Sequence, residues 1–300
     1  MPADVRHPLS HASASDPEAP AQWILTLTCQ DHPGIVHDMT GAIVALGGNI
    51  ETSQQFHSPD SGRFFMRLRI SSSRSHAAVT AAFAPLISRH RLSFTIDRAD
   101  RPARTLILVS RAAHCLQDLL FRQSTGQIPI DVVQVLGNHP DLRELSAFYS
   151  VPFDWTPVSG PEQKAAFEER LLQVIEQQHI ELVVLARYMQ VLSPEFCDRL
   201  SGHLINIHHS FLPGFKGANP YLQAHRRGVK LIGATAHFVT PDLDEGPIIE
   251  QNVVRVDHSK TPDQLRSIGQ DVEARTLRQA VTWFAEHRIL QDQGRTIIFQ

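Results

Sequence analysis

The sequence predicts an α/β protein built from two unlike units. The first is a ferredoxin-like βαββαβ unit. The second is a Rossmann-like unit with a mostly parallel sheet. Three observations carry that reading. Up to residue 97, apolar residues alternate along short segments, interrupted twice by stretches of helical spacing. From Thr105 the pattern changes to short continuous apolar runs separated by helices, as expected of strands covered on both faces. At 300 residues the chain is long enough for two ordinary domains.

Residues 1–20 are rich in Pro, Ala, Ser, Asp and His, lack an apolar period, and read as a flexible tail. Trp23, Leu25, Leu27 and Cys29 then alternate with Ile24, Thr26 and Thr28, which suits a strand. Asp31-His32-Pro33-Gly34 is a turn by composition. Ile35, Met39, Ile43 and Leu46 recur at helical spacing, and Gly47-Gly48 stops the helix. Residues 49–58 read as a second strand, and Pro59-Asp60-Ser61-Gly62 as a turn. Phe64, Met66, Leu68 and Ile70 alternate with Arg67 and Arg69 in a third strand, one face buried and one wet. Val79, Phe83, Leu86 and Ile87 mark a second helix, and Leu92, Phe94 and Ile96 a last strand. The first unit is therefore expected over 21–97. The charged, proline-bearing stretch 98–104 is the expected linker, and 105–300 the second unit.

In the second unit, Leu106 to Val109, Val132 to Leu136, Leu182 to Leu185 and Leu204 to Ile207 read as strands. Leu116, Leu119 and Leu120 belong to a helix, as do 142–148 and the amphipathic stretch 162–178. Leu231 to Val239 and Pro247 to Val256 look like longer strands joined by the loop 240–246. A long helix over 261–286, with Pro262 near its start, closes the unit. The end of the chain, 295–300, could supply a small edge strand.

Composition narrows the function. Hydrophobic content is 42%, charged content 20%, and the formal net charge −3. That balance lacks the basic footprint of a nucleic-acid or anionic-membrane partner. Three scattered cysteines argue against a disulfide framework and for a reducing, cytoplasmic setting.

The chemistry converges on 204–251. A short apolar run delivers Asn206, then His208 and His209, to its end, and a Gly/Pro-rich loop with Pro213, Gly214, Gly217 and Pro220 follows. A second run ends in a loop carrying Asp242, Asp244 and Glu245. Ligands of such sheets sit at the carboxyl ends of strands. An amide, an imidazole and a carboxylate there can move a proton and hold an oxyanion. Taken singly, Asn206 could be a strand-end cap, His208 a core histidine and Asp244 a turn residue. His209 is expected to point away from His208, and His237 to support the loop of Asp244. No His-x-x-x-His or Cys-x-x-Cys pair accompanies His203, His208 and His209, so no metal is expected.

Asn206-Ile207-His208, Ser210-Phe211-Leu212-Pro213, His237-Phe238-Val239 and Leu243-Asp244-Glu245-Gly246-Pro247 together resemble the formyltransferase family that uses formyltetrahydrofolate. The segment 184–193 is similar to that family's folate-binding segment. The resemblance implies Asn206, His208 and Asp244 as the catalytic trio. It implies Met189, Gln190, Leu192, Thr240 and Asp242 at the folate, with folate a substrate and no cofactor. Where amine-transferring members have a Gly-rich loop after the first strand, this chain reads Ser110-Arg111-Ala112-Ala113-His114-Cys115, with Arg and His filling the place of an acceptor phosphate. With Phe215 to Tyr221, this resembles the branch that passes the formyl group to water. The implied reaction is hydrolysis of 10-formyltetrahydrofolate to formate and tetrahydrofolate, supplying formate for purine synthesis and balancing one-carbon pools. Formyl transfer to an amine, or a non-catalytic folate and amino-acid sensor, are the alternatives. Cys29 to Val36 resembles the first turn of an ACT domain. That likeness implies an amino-acid effector at Asp31, Pro33 and Gly34 and a homo-oligomer, a dimer or tetramer.

Overall fold

The computed structural model describes residues 20–212 and 220–300. The expected tail over 1–19 lies outside the described residues. So do 213–219, which include Pro213, Gly214 and Gly217 and most of the motif running from Phe215 to Tyr221.

Strands β1 (Ala21–Gln30), β2 (Asn49–His57), β3 (Arg63–Ser72) and β4 (Ser93–Arg98) form an antiparallel sheet in the order β2-β3-β1-β4. Helices α1 (Ile35–Ala45) and α2 (His76–His90) connect them in the ferredoxin-like manner. Ile35, Met39 and Ile43 of α1 and Val79 and Phe83 of α2 pack on Leu25, Leu27, Leu68 and Ile70. This is the periodicity read from the sequence, and burying it drives the unit together.

The second sheet has seven strands: β5 (Ala103–Val109), β6 (Ile130–Gly137), β7 (Phe153–Trp155), β8 (Leu182–Ala186), β9 (Leu204–His208), β10 (Leu231–Phe238) and β11 (Ile248–Arg255). Their order is β11-β10-β9-β8-β5-β6-β7. From β9 to β7 all neighbours are parallel, and β10 runs antiparallel to both β9 and β11. Helices α3 (His114–Ser124), α4 (Arg143–Phe148), α5 (Pro161–Gln177), α6 (Pro194–Arg199), α7 (Pro220–Arg227) and α8 (Pro262–Ala285) accompany them. Alternate residues of β5 serve two cores. Ile107 and Val109 join Leu116, Leu119, Leu277 and Val281. Leu106 and Leu108 join Phe167, Leu171 and Phe196. Both faces are thus covered, which explains the continuous apolar runs. Thr261 and Gln264 cap α8 reciprocally.

The expected wet face of β3 is covered. Arg67 is 4% exposed and donates from Nε and Nη2 to the Glu286 carbonyl at 3.2 and 2.9 Å. Beyond α8 the chain forms a hairpin, β12 (Ile289–Asp292) and β13 (Arg295–Ile298). It leans on the first unit: Ser61 Oγ donates to Asp292 Oδ2 at 3.0 Å, and Arg295 pairs with Asp60 at 2.7 Å. The covering residues lie more than 200 positions from β3, beyond the reach of local periodicity.

Candidate active site

Asn206 and His208 are two residues apart on β9 and therefore share a face. Antiparallel pairing sets His237 opposite Asn206 and Thr235 opposite His208. The His237 Nδ1 lies 2.8 Å from the Phe238 carbonyl, which can only accept, so Nδ1 carries the proton. Nε2 of the neutral ring is then an acceptor, and the Asn206 amide Nδ2 donates to it at 3.2 Å. Register thereby fixes which end of the amide is the donor and leaves its second N–H for another partner. The expectation that His237 supports the loop of Asp244 is too narrow. Its Nε2 is 3.7 Å from Asp244 Oδ1, while its hydrogen bond goes to Asn206.

Asp244 arrives by a different route. Because β10 runs against β9, its end at Phe238 lies beside Ile205, away from His208. The loop after it folds back over the sheet. A bulge between Ala236 and His237 marks the bend. Gly246 makes the return possible, since a Cβ there would lie 1.8 Å from the Phe238 carbonyl oxygen. Asp244 Oδ2 then meets His208 Nδ1 at 3.1 Å. The His208 hydrogen bond first, and then the neighbouring His237 imidazole, against burial, hold the Asp244 carboxyl well below the usual range. His208 Nε2 is buried and has no hydrogen-bond partner among the described residues. With Nδ1–H committed to Asp244, Nε2 offers a lone pair to the cavity.

That cavity has a volume of about 620 Å³, enough for a drug-sized ligand. Asn206, His208, Asp244, Met189, Gln190, Leu192 and Thr240 line it together. Asp242 is exposed and is not among the lining residues; its carbonyl accepts the Thr240 hydroxyl at 3.1 Å and shapes the loop. The wall at 189–192 is irregular backbone pinned from outside. Ser110 Oγ accepts from the Met189 amide at 2.9 Å, and Glu168 accepts from the Ser193 amide at 2.8 Å. Met189 and Val191 stand exposed at 60% and 57%.

Sequence reasoning missed the opposite wall. Glu273 of α8, 1% exposed, accepts from Tyr221 Oη and lies 2.8 Å from His114 Nε2 and 3.3 Å from Arg187 Nε. Burial pushes the Glu273 carboxyl up, but His114, Arg187 and Tyr221 outweigh it, and the group stays below its ordinary value. The signal was a carboxylate at an apolar-stripe position, four residues from both Gly269 and Leu277. His209 does not point away from His208, because the strand ends there; the two rings stack at 4.9 Å and 16°. Arg187 pairs with His209 Nδ1. Arg111, expected to fill the acceptor site, is instead 69% exposed near Asp141, and Ala112 and His114 face the cavity.

His114, Cys115 and Glu273 present donor atoms within 4.8 Å of one another. They do not suit a cation. The Arg187 guanidinium already occupies that carboxylate, and burial pushes the Cys115 thiol far above its ordinary value. In the first unit, Asp31 pairs with His57 Nδ1 at 2.8 Å, and Gly34 precedes α1 at φ 100°. Among the described residues no helix is long and apolar enough to cross a membrane.

Comparison with known proteins places this chain. A family model described as formyl transferase matches residues 103–281. The formyltetrahydrofolate deformylase of Corynebacterium sp. (strain P-1) is 44% identical over 280 residues, covering 92% of this chain and 98% of that protein. The crystal structure of the Burkholderia mallei formyltetrahydrofolate deformylase superposes with a TM-score of 0.90 at 47% identity, over 94% of this chain and all of that one. A glycinamide ribonucleotide transformylase from Symbiobacterium toebii matches with a TM-score of 0.62 at 31% identity, over 68% of this chain and 97% of that one. The likeness to these deformylases spans both sheets, and the chain belongs to the formyltetrahydrofolate deformylase family.

Proposed function

We propose that this protein hydrolyses 10-formyltetrahydrofolate to formate and tetrahydrofolate. One observation carries the chemistry: a buried imidazole nitrogen with no partner among the described residues, backed by a carboxylate and set beside a donor amide with an N–H to spare. The folate lies against 189–192, with Thr240 and the loop through Asp242 closing the other side. A water molecule attacks the formyl carbon. Its proton passes to His208 Nε2, and Asp244 steadies the resulting imidazolium. The free N–H of Asn206 receives the oxyanion, a contribution typically worth 10²–10³ in rate. The tetrahedral carbon then collapses, the bond to N10 breaks, and N10 takes the proton from His208. Formate release from 10-formyltetrahydrofolate with no amine present tests this, and negligible release would overturn it.

Formyl transfer to an amine is the second reading, favoured by the likeness of the second unit to a glycinamide ribonucleotide transformylase. The absence of any glycine between Ser110 and Cys115 weighs against it.

For the first unit we propose an ACT-like regulatory role over 21–97, with 98–104 as the link to a catalytic unit over 105–300. Asp31, Pro33 and Gly34 would receive an amino acid. The left-handed Gly34 ahead of α1 supports this by letting the backbone approach a carboxylate. Strand β2, a largely exposed edge, supports side-by-side pairing into a homo-oligomer. A cytoplasmic setting and a link to purine synthesis fit the substrate. Calorimetry of the full chain with glycine and methionine tests the effector, and no heat with either would refute it.

A further inference from the structure

We propose that the buried cluster of Arg187, Glu273, His114 and Tyr221 excludes amines and so leaves water as the nucleophile. This deepens the hydrolase reading and rests on it. Only two acidic side chains line the cavity among the described residues, Asp244 and Glu273. Asp244 is committed to His208. A primary ammonium entering the cavity would therefore seek Glu273, the remaining carboxylate. The protein has already filled that place with its own groups, an imidazole and a phenol within hydrogen-bond reach and a guanidinium paired at 3.3 Å.

The arrangement is built. Arg187 sits at φ 63°, a left-handed conformation that favours glycine, yet carries the longest cationic side chain available. Gly269 of α8 clears the way for Tyr221, since a Cβ there would lie 2.1 Å from the phenolic oxygen. The cluster also stands close to the chemistry. Arg187 bonds His209, whose ring stacks on His208. An approaching ammonium meets a fixed positive charge behind the reacting histidine. Water meets no such repulsion and needs no docking site.

If the cluster is opened, the balanced alternative is aminolysis. The ammonium first gives one proton to solvent, the free amine nitrogen then bonds to the formyl carbon, and a second proton passes through His208 to N10. The bond to N10 breaks, giving a formamide and tetrahydrofolate.

The test is the partition between formate and N-methylformamide when 10-formyltetrahydrofolate is turned over with methylamine present. Wild type is expected to give formate alone. Arg187→Gly keeps a backbone suited to that φ and removes the cation beside Glu273. It is expected to give N-methylformamide at least about tenfold above the detection limit that wild type does not reach, a modest share of the repulsion between two unit charges at this range. Arg187→Lys, which keeps the charge, is expected to partition like wild type. If Arg187→Gly does not fold, Arg187→Asn, which tolerates the left-handed backbone and also removes the cation, carries the same expectation. A folded Arg187→Gly with the wild-type ratio, an Arg187→Lys that diverts as much formyl as Arg187→Gly, or amide formation by wild type would each overturn the proposal. Absence of formate from wild type without amine would instead remove the hydrolase reading itself, before any variant is compared.

Discussion

Asp244→Asn isolates the charge of one carboxylate from its shape. Asp244 sits at φ 59°, a conformation that Asn also tolerates, so the loop need not move. The Asn carbonyl can still accept from His208 Nδ1 at the present 3.1 Å. What disappears is the attraction for the imidazolium. With that charge spread over the ring, a separation of about 4 Å and an effective dielectric of about 20 give roughly 4 kcal/mol. That corresponds to a fall in kcat of about 10³. Stability changes as well, with a sign that can be stated. The Asp244 carboxyl is held well below its ordinary value, first by the His208 hydrogen bond. A depressed carboxylate adds stability above its unfolded value of about 3.9 and loses it as pH falls through the folded value. The variant should therefore be less stable at neutral pH and lose less on acidification. Formate release at saturating substrate, with thermal melts at pH 7 and at pH values stepped below about 3.9, measures both. A folded variant with kcat within tenfold of wild type would refute the role given to this charge.

Asn206→Ala removes the oxyanion donor and should lower kcat about 10²–10³ in the same assay; it also leaves the buried His237 Nε2 without its donor, so the melting temperature should fall too. Gly246→Ala should fold but lose activity at least about tenfold, because the new Cβ must push away from the Phe238 carbonyl and carry Asp244 with it; misplacement by ~1 Å can cost ~10² in rate. Arg67→Ala leaves the Glu286 carbonyl at the end of α8 without its two donors. It should destabilise the protein by about 1.5–3 kcal/mol, read as a fall in denaturation midpoint.

The convergence of the trio on one cavity was legible mainly through the family resemblance, and only the shared face of Asn206 and His208 is local. Asn206 and His208 share a face through the period of a strand, and Asp244 sits in a loop whose glycine and prolines announce it. The two-unit architecture was legible for a similar reason, as alternating strands give way to continuous apolar runs near Thr105. What stayed hidden depends on long-range contacts. Arg67 looked wet because the helix end and hairpin that cover it lie some 220 residues away. Glu273, His114, Arg187 and Tyr221 come from four separate elements, and nothing along the chain ties them together. His209 was misplaced because strand alternation was extended one residue past the end of β9. The three-residue β7 and the six-residue α6 are too short to leave a periodic trace.

The nucleophile can be identified directly by turning over 10-formyltetrahydrofolate in oxygen-18-labelled water with no amine present and weighing the formate by mass spectrometry. Hydrolysis at the site of Asn206, His208 and Asp244 predicts stoichiometric formate carrying one solvent oxygen. Unlabelled formate, or formate that appears only when an amine is supplied, would contradict it.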